Sequence, residues 1–418
     1  MNKYFDVKEK VYDITEKYPE TIDVFAANGF DKLTNEKMRK IMGKTISLEM
    51  ACKTKSVNIE VFEQKLVDAI EAANYSIDSS LITKKEVENP DLKIEGILPC
   101  PVRVPLLEGF NEWLAENEKN FDFKVDYELK SANLGVDWIK DRLEANDEEE
   151  LSDLFISAGF DLFFDKTMMG KFKEKHVFED MTSLENLNKD FQNNEIDLKD
   201  PKGEYSILAV VPAVFMVNTE ELNGTPAPRS WADLLKPEFE SRVSLPMRDF
   251  DLFNAILLNI YKRHGEDGVT KLGKSLLRSM HPAEMVKSHT KKDAKLPIVT
   301  IMPYFFTKMA RKNSPLQPVW PEDGAIISPI FTLAKKSKSN QVKSFVEFFH
   351  SKEVGELLSS KGNFPSAHPQ VDNNIPEENK FMWLGWDYIN SNDIGSLIRK
   401  CEDLFHNALN IEEVVSWI

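Results

Sequence analysis

Three cysteines in 418 residues, Cys52, Cys100 and Cys401, are too few and too widely spaced for a disulfide framework or a CxxC metal or redox motif. The N-terminal segment MNKYFDVKEKVYDITEKY lacks the apolar core and small-residue cleavage site of a secretory signal. Scarce cysteine and no such signal give the expectation of a reducing, cytoplasmic setting. No apolar run is long enough for a transmembrane helix. Basic residues are in the minority, 53 Lys and Arg against 69 Asp and Glu, and the net charge of −16 argues against non-specific nucleic-acid binding. The seven histidines show no metal-ligand spacing, and there is no GxSxG elbow, P-loop or HExxH. An enzyme is therefore not expected. A nucleophilic role for Cys100 with His281 is conceivable only across a closed cleft. Internal repeats and low-complexity tracts are also missing.

What the chain does have is a pair of extended apolar stretches about a hundred residues apart. They are YSILAVVPAVFMV at 205–217 and AIISPIFTLA at 325–334. Each carries a proline that a central helix would not tolerate, so both read as buried strands. A chain that leaves one lobe on one strand and returns on another makes a two-lobed clamp with a hinge. Such a clamp suits a small ligand held between its halves. Hydrophobic content of 42% supports well-filled cores, and the length allows two or three domains.

Residues 1–75 read as a small helical unit. One helix opens at Asp13-Ile14-Thr15-Glu16, with Ile14, Tyr18, Ile22 and Phe25 at helical spacing, and stops at Asn28-Gly29. Further helices are expected over 32–41, 47–53 and 57–73. The polar stretch 76–92 suits a linker. Strands at 93–98, 121–129 and 151–156 then alternate with helices at 106–117 and 138–146, which argues for a parallel α/β sheet. Beyond the first crossing strand come a capped helix at SWADLL (230–235), a short strand at 242–245, helices at 252–263 and 268–279, and a strand at 297–302. Helices at 340–349, 353–361 and 395–409 return to the first lobe.

Two resemblances follow from these residues. The segments ITEKYPETIDVFAANGF and TISLEMACKTKSVNIEVFEQKLVDAI resemble the small helical domain found beside hybrid-cluster proteins. Members of that group carry paired cysteines after the glycine. Here the position reads Phe30-Asp31-Lys32-Leu33, so no cluster or disulfide role carries over, and a docking module is expected. The segments ILPCPVRVPL, DLFISAGFDLFF, VVPAVFMVN, SWADLLKPEFESRVSLP, PIVTIMPYFFTKM and VWPEDGAIISPIFTLAKKS resemble substrate-binding proteins of ABC transporters with the type 2 periplasmic-binding fold. The branch is that of ferric-iron, phosphonate and sugar-phosphate binders. The resemblance covers about 93–412 and implies lobe one at about 93–210 and 328–412, and lobe two at about 218–322. It also implies an ABC permease as partner. The alternative is a cytoplasmic sensor or carrier that signals to a protein partner through residues 1–75.

Ligands of open α/β sheets bind beyond the carboxyl ends of strands. The candidates by that rule are Cys100 and Arg103 after the first strand, a thiol and an anion holder; Ser157 and Gly159, able to present backbone amides; His281, near a helix start; and Tyr304. In ferric-iron binders of this fold the Tyr304 position begins a pair of tyrosines. Here Phe305 follows it, a poor match to iron(III), which wants several anionic oxygens. Asp323, with Glu322, is a candidate for a cation or amine, against a solvated turn. The aromatic run FMWLGWDY at 381–388 either lines a ligand or a partner, or packs across the back of lobe one. The expected ligand is a small polar or anionic molecule. No cofactor is implied, and a bound metal ion stays an open alternative.

Overall fold

A computed structural model describes residues 4–409, apart from 56, 58, 60–61, 64, 68, 71–82, 99, 132–135, 248–249, 280–294 and 309–313. The chain divides into two compact units, Met1–Ser152 and Asp153–Ile418.

In the first unit, the helix expected from Asp13 to Phe25 is two helices, Val11–Lys17 and Thr21–Ala27. Pro19 has no N–H to donate and restricts Tyr18, whose φ and ψ of −133° and 79° leave the helical region. The helix expected over 32–41 is a 3₁₀ turn at Asp31–Leu33, then a short helix, Glu36–Met38, widening into a π turn at Arg39–Gly43. Gly43 is required there, since a Cβ would stand 2.9 Å from the Tyr12 nitrogen. Helix Leu48–Lys55 and the described helical positions within 59–70 complete the group. Their core is built on Phe25, Phe30 and Phe62, with centroids 5.1–5.7 Å apart. Cys52 belongs to this core, and burial pushes its thiol up to about 11, so it serves as an apolar residue.

The expected linker begins outside the described residues and ends in structure. Strand β1 (Lys84–Lys85) pairs antiparallel with β3 (Val125–Ser131), and β2 (Leu92–Leu98) pairs with β3 in parallel. Helix Cys100–Asn117 packs on them through Phe110, which meets Tyr127 edge-on at 5.0 Å. The Tyr127 hydroxyl donates to Asn111 Oδ1 at 2.6 Å.

In the second unit the chain enters on β4 (Leu154–Ala158), then runs through β5 (Tyr205–Asn218), β6 (Val243–Leu245), β7 (Leu276–Ser279), β8 (Val299–Pro303), β9 (Leu316–Val319), β10 (Ala325–Ala334) and β11 (Phe381–Met382). The order is β4-β10-β5-β8-β6-β7, with β11 added to β10 and β9 to β5. The parallel pairing expected for 93–98 and 121–129 is that of β2 with β3, whereas the sheet of the second unit is mixed. β10 runs antiparallel to β4 and β5, and β5 antiparallel to β8, while β8, β6 and β7 are parallel. The two crossing strands lie side by side in opposite directions because one leaves and the other returns. Both are buried along almost their whole length, and only Val211 of β5 is half-exposed. That explains why they read as unbroken apolar runs rather than alternating ones.

The two helices expected at 252–263 and 268–279 are present within Phe250–Ser275, separated at Gly265, whose φ of 64° and ψ of −160° leave the helical region; the second ends early, and 276–279 is strand β7. A short apolar run such as Leu276-Leu277 has no period by which helix and strand differ. Behind the sheet, Tyr205 stacks on Phe164 at 4.7 Å and meets Phe331 at 5.2 Å and Trp386 at 5.5 Å. Helix Ile394–Asn407 is tied on by Arg399, whose Nη1 donates to Asp165 Oδ2 at 2.9 Å. Burial opposes ionisation of Asp165, but bonds from Thr167 and Arg399 outweigh it and hold the carboxyl below its ordinary value.

Two outcomes are expected. A Cβ at position 395 would lie 1.9 Å from Asp165 Oδ2, so Gly395→Ala should lose about 1–3 kcal/mol in urea denaturation. His350 is buried with Nε2 2.9 Å from Thr332 Oγ1, and burial pulls its pKa down to about 4. The folded state therefore holds fewer protons on this ring than the unfolded chain. Its contribution is complete above the unfolded value near 6.5 and is lost as pH falls toward 4, a change of up to about 3 kcal/mol. His350→Gln should flatten the stability-versus-pH curve within that window.

Candidate functional site

The register of the second unit places two strand ends on one short stretch of β5. β4 ends at Ala158, opposite Ile330, which faces Ala209 of β5. β8 approaches from the other direction and ends at Pro303, opposite Ala213. Three residues of β5 lie between these levels, a span of about 13 Å at the rise of a strand. The carboxyl ends of strands from both halves of the sheet thus face Val210–Pro212. At that stretch β10 contributes Ile327, Ser328 and Pro329 as partners.

Gly159 turns the chain out of β4 with φ 85°, a conformation side chains resist, and its N–H donates to Pro329 O at 2.8 Å. Ser157 lies inside the strand, which runs two residues beyond its expected end. Its Oγ is buried with no hydrogen-bond partner among the described residues. Asn254, in the first turns of helix Phe250–Ser275, donates from Nδ2 to Phe160 O at 2.9 Å, and its Oδ1 is likewise buried without a partner there. The Phe160 ring stacks on Trp383 at 5.5 Å, and Trp383 Nε1 is a third buried atom of this kind. Unsatisfied buried polar groups cost about 1–3 kcal/mol each, and three around one turn mark a place where a ligand can supply partners.

From β8 the chain passes into a short helix, Tyr304–Thr307. The Tyr304 ring is half-buried, edge-on to Trp320 at 5.3 Å, with Lys308 Nζ 5.9 Å from its centroid. Phe305 packs on Phe364 at 5.4 Å, and Phe306 on the Met216, Met302 and Leu316 cluster. Trp320 touches Phe381 at 5.4 Å. The 381–386 segment therefore meets the Tyr304 side through Phe381 and the Phe160 side through Trp383. It bridges the two strand ends rather than only covering the back of one lobe.

The other candidates fall elsewhere. Cys100 and Arg103 belong to the first unit, in the opening turn of helix Cys100–Asn117, where a loop was expected. His281 lies outside the described residues. Asp323 is occupied: its oxygens accept the Trp231 N–H at 3.1 and 3.2 Å, while Gly324 O accepts Trp231 Nε1 at 3.0 Å. Burial pushes the Asp323 carboxyl up. Glu322 pairs with Arg229, so this turn anchors helix Trp231–Leu234, whose capping box joins Ser230 and Asp233. Asn254 was not singled out from the sequence. Its signal is a polar amide inside the apolar run LFNAILLNIY, a position that burial forces to find partners. The described residues bring together no three His, Cys, Asp or Glu side chains able to hold a metal ion.

Residues 149–392, more than half of the chain, match the family described as bacterial extracellular solute-binding protein, and residues 5–62 match a domain of unknown function, DUF1858. No curated protein matches the chain. Among solved structures, the ferric binding protein from Campylobacter jejuni is 15% identical, with a TM-score of 0.53 over 76% of this chain and 99% of its own. The periplasmic binding protein AfuA from Actinobacillus pleuropneumoniae, with fructose-6-phosphate bound, is 16% identical, with a TM-score of 0.52 over 76% and 99%. The Trichodesmium protein IdiA (FutA), in complex with iron and citrate, is 11% identical, with a TM-score of 0.52 over 76% and 98%. These likenesses show a shared fold, the α/β architecture of two-lobed periplasmic binding proteins. The chain belongs to the bacterial extracellular solute-binding protein family and is a solute-binding protein.

Proposed function

We propose that the solute is a small, oxygen-rich polar or anionic molecule bound at the β4 and β8 ends, and that the protein delivers it to an ABC permease without transforming it. The observation that carries this reading is the set of unpartnered buried atoms around Phe160. Ser157 Oγ can donate or accept, Asn254 Oδ1 accepts and Trp383 Nε1 donates. Such a mixed set suits hydroxyl and oxyanion groups better than a bare cation. Tyr304 adds one phenol at the opposite strand end, and Phe305, packed on Phe364, adds none. A ferric ion bound here would need further oxygens from a co-ligand. Trp320, Phe381 and Trp383 offer flat apolar faces for the carbon side of a sugar or carboxylic acid.

Calorimetric titration with fructose 6-phosphate and, separately, with ferric citrate tests this. Binding of either probe should weaken about tenfold in Asn254→Ala and in Tyr304→Ala, the loss of one buried hydrogen bond to a charged or multiply bonded ligand. Unchanged affinity in both variants would remove the site. Asp323→Ala serves as the converse: it should cost about 1 kcal/mol in stability through the lost cap on Trp231, with affinity unchanged.

A further inference from the structure

A cavity lies at the other end of β5. It measures about 380 Å³ and is enclosed by the chain following β4, by the residues just before β5, and by 389–392. Its charged lining is Lys166, Lys173 and Lys202 against Glu174 and Glu204, with His176 beside them, in a protein of net charge −16. Phe164 and Ile389 supply an apolar wall, and Asn390 an amide. Glu204 stands six residues before Val210, about 20 Å along the strand from the crossing region.

The centre of this cavity is an under-supported ion pair. Lys173 Nζ is 3.3 Å from Glu204 Oε2, and the two side chains are 15% and 5% exposed. Apart from this contact, Glu204 Oε2 receives no hydrogen bond among the described residues. The lysine rests 4.3 Å over the Tyr205 ring. Burial lowers the Lys173 pKa and raises that of Glu204, so both charges are held at a cost. A buried pair kept for structure alone is normally backed by further hydrogen bonds, as neighbouring Asp200 is: it accepts the N–H groups of Lys202, Glu204 and Tyr205. Lys166 and Lys202 are exposed at the rim. A desolvated lysine beside an apolar wall, with two more ammonium groups at the mouth, is the arrangement that receives an anion.

We infer that this cavity is a second ligand site, separate from the solute site, for a small phosphate monoester: the phosphate contacts Lys173, Lys202 and Lys166, and the carbon part lies on Phe164 and Ile389. The volume falls within the range of small-molecule pockets. Glu204 acts as the internal competitor for Lys173 and sets the affinity.

Equilibrium dialysis of the full chain with labelled glycerol 3-phosphate at low salt tests this. The lysine double variant Lys166→Gln/Lys202→Gln should bind about tenfold more weakly, while Glu204→Gln, which releases Lys173, should bind at least threefold more tightly. Asn254→Ala should leave this binding unchanged, which separates it from the solute site. Unaltered affinity in the lysine double variant, weaker binding in Glu204→Gln, or no binding by the native chain at millimolar ligand would overturn the inference.

Discussion

The antiparallel contact of β5 with β10 is the constraint on which the second unit depends. Each strand is shared between two parts of the sheet: β10 carries β4 and β11, and β5 carries β8 and β9. Moving either strand by one residue would reverse the faces of both parts. The contact also has gaps in its hydrogen-bond ladder. Pro212 and Pro329 bring no N–H to it, and its register shifts between Ile330 and Phe331. Those gaps are filled from outside: Pro329 O takes the Gly159 N–H, and Val210 donates to Pro365 O at 3.0 Å. The stretch that links the two halves is thus also the stretch toward which the strand ends point.

Most buried polar groups in this unit are satisfied close by. Asp165 is held by Thr167 and Arg399, Asp200 by three backbone N–H groups, and Asp323 by Trp231. Tyr205 has its hydroxyl on Phe163 O, and burial drives its ionisation well above the ordinary range. Against that background the exceptions are informative. Ser157, Asn254 and Trp383 surround one turn, and Glu204 faces one cavity. Ser314 Oγ is a further such atom, so it is the grouping of three at one turn that supports the proposed solute site.

Much of this was readable from residues, and the failures have physical causes. The crossing strands, the Ser230 cap and helices such as Ser339–Phe349 follow from local apolar pattern and capping chemistry. The break at Pro19 outweighed a helical spacing that ran through it. Leu276–Ser279 is a strand because β6 offers an edge, which no local pattern records. Asp323 has the composition of a cation ligand, yet its carboxylate faces a tryptophan amide ninety-two residues away in sequence. Of the candidates chosen at strand ends, Gly159 and Tyr304 directly follow β4 and β8, while Ser157 lies inside β4, one residue before its end. Asn254 was passed over because a helix interior gives no local sign of which polar residue meets a distant carbonyl.

Sequence alone determined the mixed α/β class, the two buried crossing strands and the absence of standard catalytic motifs, because each rests on short-range pattern and residue chemistry. Tertiary structure alone decided that the sheet is mixed in direction, that β4 and β8 end against the same few residues of β5, and that Lys173 and Glu204 share a cavity. These are pairings across long loops. Their geometry depends on which apolar faces find each other, and no window of neighbouring residues contains that information.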